Sequence, residues 1–83
     1  MDKTISTFAK NKFQEVRVGI REFKGNDLVD IRIWTQTQGS PEMVATAKGV
    51  AINIALLPQL MKALQEVEKV LKETSAAFNN PVS

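Results

Sequence analysis

Two short stretches of this sequence put arginine and an aromatic ring on the same side of an extended chain. In FQEVRVGIREF, residues 13–23, Val16, Val18 and Ile20 alternate with Arg17, Gly19 and Arg21, and Phe23 shares the arginine parity. In LVDIRIW, residues 28–34, Val29, Ile31 and Ile33 alternate with Asp30, Arg32 and Trp34. Guanidinium groups hold phosphates, and exposed rings take the faces of unpaired bases at about 1–3 kcal/mol per stacked base. A face that repeats cation and ring therefore suits a single-stranded nucleic acid. Other chemistry has little to work with. The chain has no Cys and no His, which removes the thiol nucleophile, the thiolate metal site and the commonest general base. Asp27 and Asp30 are close in sequence, but they flank a turn and an arginine strand without the apolar pocket that would raise a carboxyl pKa. No glycine-rich phosphate loop or metal-ligand spacing occurs. The expectation is a non-enzyme with no catalytic residue, no metal, no cofactor and no small-molecule substrate.

The elements that must position these residues follow from the same periodicities. Lys24-Gly25-Asn26-Asp27 is a polar turn between the two alternating runs, so they are expected to pair as a hairpin. Their apolar sides can be buried together only if both arginine and ring sides also lie together. Thr35 to Pro41 carries neither charge nor apolar residue and reads as a loop, and Glu42 to Ile52 reads as a weaker strand with a bulge at Gly49. From about Leu57 to Leu71 the period changes to three and four, with Leu57, Leu60, Met61, Leu64, Val67 and Leu71 on one stripe of an amphipathic helix. Its start is open between Asn53 as an N-cap and Pro58 at the first helical position. Beyond Lys72, Thr74 to Pro81 reads as capping or fraying. Strands first and one long helix last means α+β with an antiparallel sheet.

At 83 residues the chain makes one small domain, with a core from about residue 8 to 72 and flexible ends. A chain of this size buries only about 60% of its unfolded surface, so a second copy is the default partner. The helix stripe either packs on the sheet or forms the dimer interface. A hydrophobic content of 43% beside 24% charged residues is that of a folding chain. The net charge of +2 lies wholly within residues 1–50, where eight Lys and Arg face six Asp and Glu. No apolar run nears the roughly 18 residues of a membrane span, and Met1-Asp2-Lys3-Thr4 leads into no secretory core, which predicts an intracellular protein without a membrane partner. The charged residues also allow a plainer reading. Arg17 and Arg21 suit an ion-pair face with Glu15, Glu22 and Asp30, Phe23 and Trp34 suit a core or interface, and Lys24-Gly25 and Lys48-Gly49 suit a turn and a bulge.

With these residues in place, KNKFQEVRVGIREFKGNDLVDIRIW and, after the polar loop, AKGVAINIALLPQL resemble the positive cofactor four family of transcriptional coactivators, in its single-stranded-DNA-binding domain. The likeness spans about residues 8 to 71 and is most specific from Val18 to Trp34, through E-F-K-G and D-I-R. It implies a four-stranded curved antiparallel sheet, a C-terminal helix, a homodimer, and melted DNA as ligand in transcription, replication or repair. It also implies Phe23 as a stacking ring and Lys24, Arg32 and Lys48 as DNA contacts. Arg17, Arg21 and Trp34 join them by their shared parity, and Lys12 and Asn26 complete the expected surface. The chain departs from the family in three places. Ile33-Trp34-Thr35 leaves one ring where a pair is familiar, Asn26 replaces a basic residue, and Ala47 precedes Lys48 where a second cation is common. These departures imply weaker binding or a shorter footprint. The Ser- and Lys-rich arm of the eukaryotic coactivators is absent, which implies a stand-alone bacterial or viral type. The alternative is a protein-interaction or RNA-binding module that uses the same basic sheet face.

Overall fold

A tight turn sets the sheet. Lys24 and Gly25 both have positive φ, 53° and 79°, in a two-residue hairpin turn whose twist matches that of the flanking strands. Such a turn needs fewer residues than the four expected, so Asn26 and Asp27 already belong to the second strand of the hairpin. The computed structural model describes residues 2–74. Its strands are β1 (Lys3–Ala9), β2 (Gln14–Phe23), β3 (Asn26–Gln36) and β4 (Met43–Asn53), in the order β1-β2-β3-β4 with every pair antiparallel. Between β2 and β3 ten pairs run without interruption from Phe23↔Asn26 to Gln14↔Thr35, placing Val16 opposite Ile33 and Arg17 opposite Arg32. The apolar sides therefore coincide, and so do the arginine sides.

The outer strands are less regular. β3 runs two residues into the expected loop, because Thr35 and Gln36 find partners in Val44 and Met43. The connection is then closed by Thr37, whose amide and hydroxyl both donate to the Glu42 carbonyl at 3.1 and 3.0 Å. Between Arg32↔Gly49 and Trp34↔Ala45 the register shifts, so β4 bulges at Thr46-Ala47-Lys48. The Thr46 hydroxyl fixes the bulge by donating to the Ile33 carbonyl at 2.8 Å and accepting from the Lys48 amide at 3.1 Å. Gly49 is needed beside it because a Cβ would run into the Ile31 carbonyl oxygen and lie 2.8 Å from the Arg32 Cα. Residues 3–9 form an edge strand on β2, with its own register shift between Thr4 and Ser6.

Both helix-start signals are used, at different places. Asn53 caps a 3₁₀ turn, Ile54–Leu56, by accepting from the Ala55 amide at 2.9 Å, and Pro58 then sits in the first turn of α1 (Leu57–Glu73). Thr74 closes α1 on the Val70 carbonyl at 3.1 Å, while Ser75 to Pro81, expected as a frayed end, lie outside the described residues. No described helix is long and apolar enough to cross a membrane. α1 meets the 3₁₀ turn and does not lie across the sheet. The apolar stripe is thus uncovered, with Met61 49%, Leu64 52% and Val67 55% exposed. Among the described apolar residues only Val29 is buried, and the molecule is a slab of 39 × 37 × 18 Å.

The close approach at the bulge gives a stability test. Gly49→Ala must displace backbone rather than a flexible side chain, so it is expected to cost about 1–3 kcal/mol. This would appear as a lower urea midpoint with an unchanged slope at fixed protein concentration.

Candidate nucleic-acid interface

Within β3, alternation carries Asp30 and Arg32 to the same face, and the two side chains lock together there. Arg32 donates from Nη2 to Asp30 Oδ1 at 2.8 Å and from Nε to both carboxylate oxygens at 3.2 and 3.3 Å. Its Nη1 reaches across to the Thr46 carbonyl in the β4 bulge at 3.0 Å. Each guanidinium nitrogen of Arg32 is thus engaged, and the side chain is only 17% exposed. Hydrogen bonding to Asp30 raises the Arg32 pKa above its ordinary value; burial opposes this, and the charge of Asp30 adds to it. A raised pKa stabilises the fold below the ordinary arginine value and is lost only as pH climbs past the folded value, so this pair gives no pH dependence near neutrality. Asp30 itself is buried, and Arg21 Nη1 stands 3.9 Å from the same Oδ1.

Arg17 is held differently. Its Nη2 and Nε meet Glu15 Oε1 at 2.6 and 2.7 Å, and its guanidinium carbon lies 4.0 Å from the centroid of the Trp34 ring. The register explains this contact, since Glu15 is opposite Trp34 and Arg17 is its diagonal neighbour. Arg17, Arg21, Asp30 and Trp34 line a groove of about 310 Å³ together with Thr4 of β1. Gly19 forms its floor, and a Cβ there would strike the Lys3 carbonyl oxygen. The ion-pair reading of this face holds for Glu15 with Arg17 and for Asp30 with Arg32 and Arg21.

The other expected contact residues lie around this cluster. Phe23 is 55% exposed at the hairpin end, with Lys24 Nζ 5.3 Å from its ring centroid. Asn26 pairs with Phe23 and turns its amide toward the Lys24 carbonyl at 3.5 Å. Lys48 is exposed in the bulge, next to the Gly49 that faces Arg32. Lys12 is remote from these, beyond the opposite end of β2, with Nζ 5.8 Å from the Phe13 centroid. The structure therefore gathers Arg17, Arg21, Arg32 and Trp34, sets Phe23, Lys24 and Asn26 at one end, and leaves Lys12 at the other. Thr46 and Gly19 shape the surface without having been anticipated. Gly19 shares the arginine parity, but nothing in the sequence singles out Thr46. The helical residues expected at a dimer interface, Leu57, Leu60, Met61, Leu64, Val67 and Leu71, share α1, and an apolar groove of about 340 Å³ runs beside Val67 and Leu71.

Residues 10–63, which include every expected contact residue from Lys12 to Lys48, match the family model described as Transcriptional Coactivator p15 (PC4). The chain belongs to the PC4 family. Among solved structures, a PC4 homologue from Burkholderia pseudomallei is 28% identical in both of its crystal forms. The orthorhombic form has a TM-score of 0.73 over 81% of this chain and 89% of that one, and the tetragonal form 0.74 over 82% and 98%. A bacteriophage T5 homologue of the eukaryotic coactivator PC4, implicated in recombination-dependent DNA replication, shares the fold with a TM-score of 0.61 at 22% identity, over 93% of this chain and 84% of that chain. No curated protein matches the sequence. PC4 membership supports a DNA-binding, coactivator-like role, and β1 and most of α1 lie outside the matched segment.

The two ion pairs should differ in weight. Asp30→Ala leaves the enclosed Arg32 with only the Thr46 carbonyl and no carboxylate, and is expected to cost about 1.5–3 kcal/mol. Glu15→Gln, at a pair whose side chains are 27% and 26% exposed, should cost less than about 1 kcal/mol. Chemical denaturation of both variants checks the order.

Proposed function

We propose that this protein is a homodimeric single-stranded-DNA-binding protein that acts at melted DNA in transcription, replication or repair. The observation that carries this reading is the β2–β3 register, which gathers Arg17, Arg21, Phe23, Arg32 and Trp34 on one face. Phe23, exposed beside Lys24, offers a ring to a base and a cation to its phosphate. Arg17 extends the stacking surface, because a guanidinium plane over an indole presents its outer side to a base much as a ring does. Glu15 competes with phosphate for the same guanidinium. Arg32 acts by fixing the surface through Asp30 and Thr46. The phosphate contacts are then Arg17, Arg21, Lys24 and Lys48, and about four of them give a log-log salt slope of roughly −2.8 per subunit. The uncovered stripe on α1 supports the dimer, since a chain with one buried apolar side chain among its described residues needs a partner to complete its core.

Titrating single-stranded and duplex oligonucleotides at several salt concentrations tests the DNA reading. Phe23→Ala should weaken single-strand binding by about 1–3 kcal/mol at an unchanged slope, and Arg21→Ala should flatten the slope by about 0.7. Duplex binding should barely respond to Phe23→Ala; equal losses on both ligands would argue against stacking.

A second test addresses assembly. Leu64 is 52% exposed in one chain, so Leu64→Asp is harmless to a monomer and places a charge inside a dimer interface. Sedimentation should show wild-type dimers, and the variant should be monomeric or unfolded.

A further inference from the structure

We propose that Phe13, with Lys12, forms a second base-stacking site at the far end of β2, so that a single strand crossing the sheet is gripped by a ring and a lysine at both ends. The inference rests on the single-strand reading above and adds a site to it.

Although Phe13 precedes β2, it stays in register with β3, because its carbonyl accepts from the Gln36 amide at 3.0 Å. Counting back from Arg17, it shares the parity of the binding face. It is 59% exposed, as Phe23 is 55% exposed, and Lys12 Nζ lies 5.8 Å from its centroid, as Lys24 Nζ lies 5.3 Å from that of Phe23. The backbone that carries the ring is held in place. Asn11 Oδ1 accepts from the amides of both Phe13 and Gln14 at 2.9 Å, while the amides of Lys10 and Asn11 donate to the Gln14 carbonyl at 3.0 and 3.2 Å. This fixed turn reduces the ordering cost that binding must overcome.

Beside the ring is an open groove of about 550 Å³, lined on its other side by the loop of residues 36–41. The loop is itself braced, with the Ser40 amide donating to the Thr37 carbonyl at 3.2 Å and the Glu42 amide to Ser40 Oγ at 3.2 Å. An unpaired base matches this site on three counts. The Phe13 ring supplies a wall for its face, and the Gln38 side chain, Gln36 Oε1, the lone pairs of the Thr37 hydroxyl and the proton of the Ser40 hydroxyl supply donors and acceptors for its edge, beyond the bonds that brace the loop. The lining contains no carboxylate to repel a phosphate, and Lys12 stands beside the ring. Ten residues of strand separate Phe13 from Phe23, about 33 Å at about 3.3 Å per residue, so only a longer oligonucleotide can reach both.

The test uses oligothymidylates near the two ends of the range of about 4–16 nucleotides. Phe13→Ala should bind the longer strand about 5- to 150-fold more weakly and the shorter one as wild type does, with an unchanged salt slope. Phe13→Tyr should restore binding and Phe13→Leu should not. In a Trp34→Phe background, Phe13→Trp should be quenched on adding the longer strand. Wild-type affinity of Phe13→Ala for the longer strand, equal losses at both lengths, rescue by leucine, or absence of quenching would each overturn the site. If Phe23→Ala still weakens binding in that case, the single-strand reading survives. Wild-type protein that binds neither oligonucleotide refutes that reading, and the site falls with it.

Discussion

The unbroken ladder between β2 and β3 is the constraint on which the rest of the molecule depends. Because successive side chains alternate between faces, a slip of one residue would send Val16, Val18 and Ile20 to the arginine side and Arg17 and Arg21 to the apolar side. The Lys24-Gly25 turn excludes that slip by closing the hairpin with two residues at positive φ. Once the register is fixed, Glu15 must lie beside Trp34, Arg17 beside Arg32, and Gly19 beside Asp30. The Arg17 stack on Trp34, the enclosed Asp30 and the floor of the groove all follow from that alignment.

What could be read in advance depended on where an element sits in the sheet. β2 and β3 are its half-buried central strands, valine and isoleucine alternate with polar and charged residues along them, and the strands show in the sequence. β1 is exposed along its whole length, Lys3-Thr4-Ile5-Ser6-Thr7-Phe8-Ala9, and no alternation marks it, because no buried face requires one. Asn53 and Pro58 looked like rival helix starts because each has a real boundary to serve, the first at the 3₁₀ turn and the second at α1. The bulge was hinted at by Gly49, yet the hydroxyl of Thr46 that pins it has no signature beyond its type.

The candidate surface was legible as a set of residues and not as a set of roles. Parity makes Arg17, Arg21 and Arg32 equivalent, whereas the folded chain gives each a different environment. Arg32 is enclosed by Asp30 and Thr46, Arg17 lies between Glu15 and an indole, and Arg21 is half exposed at the edge of the groove. Two carboxylates within the basic face make it less positive than its arginines suggest, and they fix the planes of the guanidinium groups that they meet. Sequence spacing cannot assign these roles, since they depend on which rotamer reaches which partner across the ladder.

The interior of the sheet is regular, and its irregularities lie on its rims. β1 shifts register between Thr4 and Ser6, and β4 bulges at Thr46-Ala47-Lys48. Each rim strand also carries a lysine, Lys3 on one and Lys48 on the other. A free strand edge is a template on which another chain can add a strand, and bulges and lysines are two of the features that spoil such a template. The distortions that shape the groove therefore also guard an open sheet against growing sideways into ribbons or aggregates, a protection that the apolar stripe of α1 does not share.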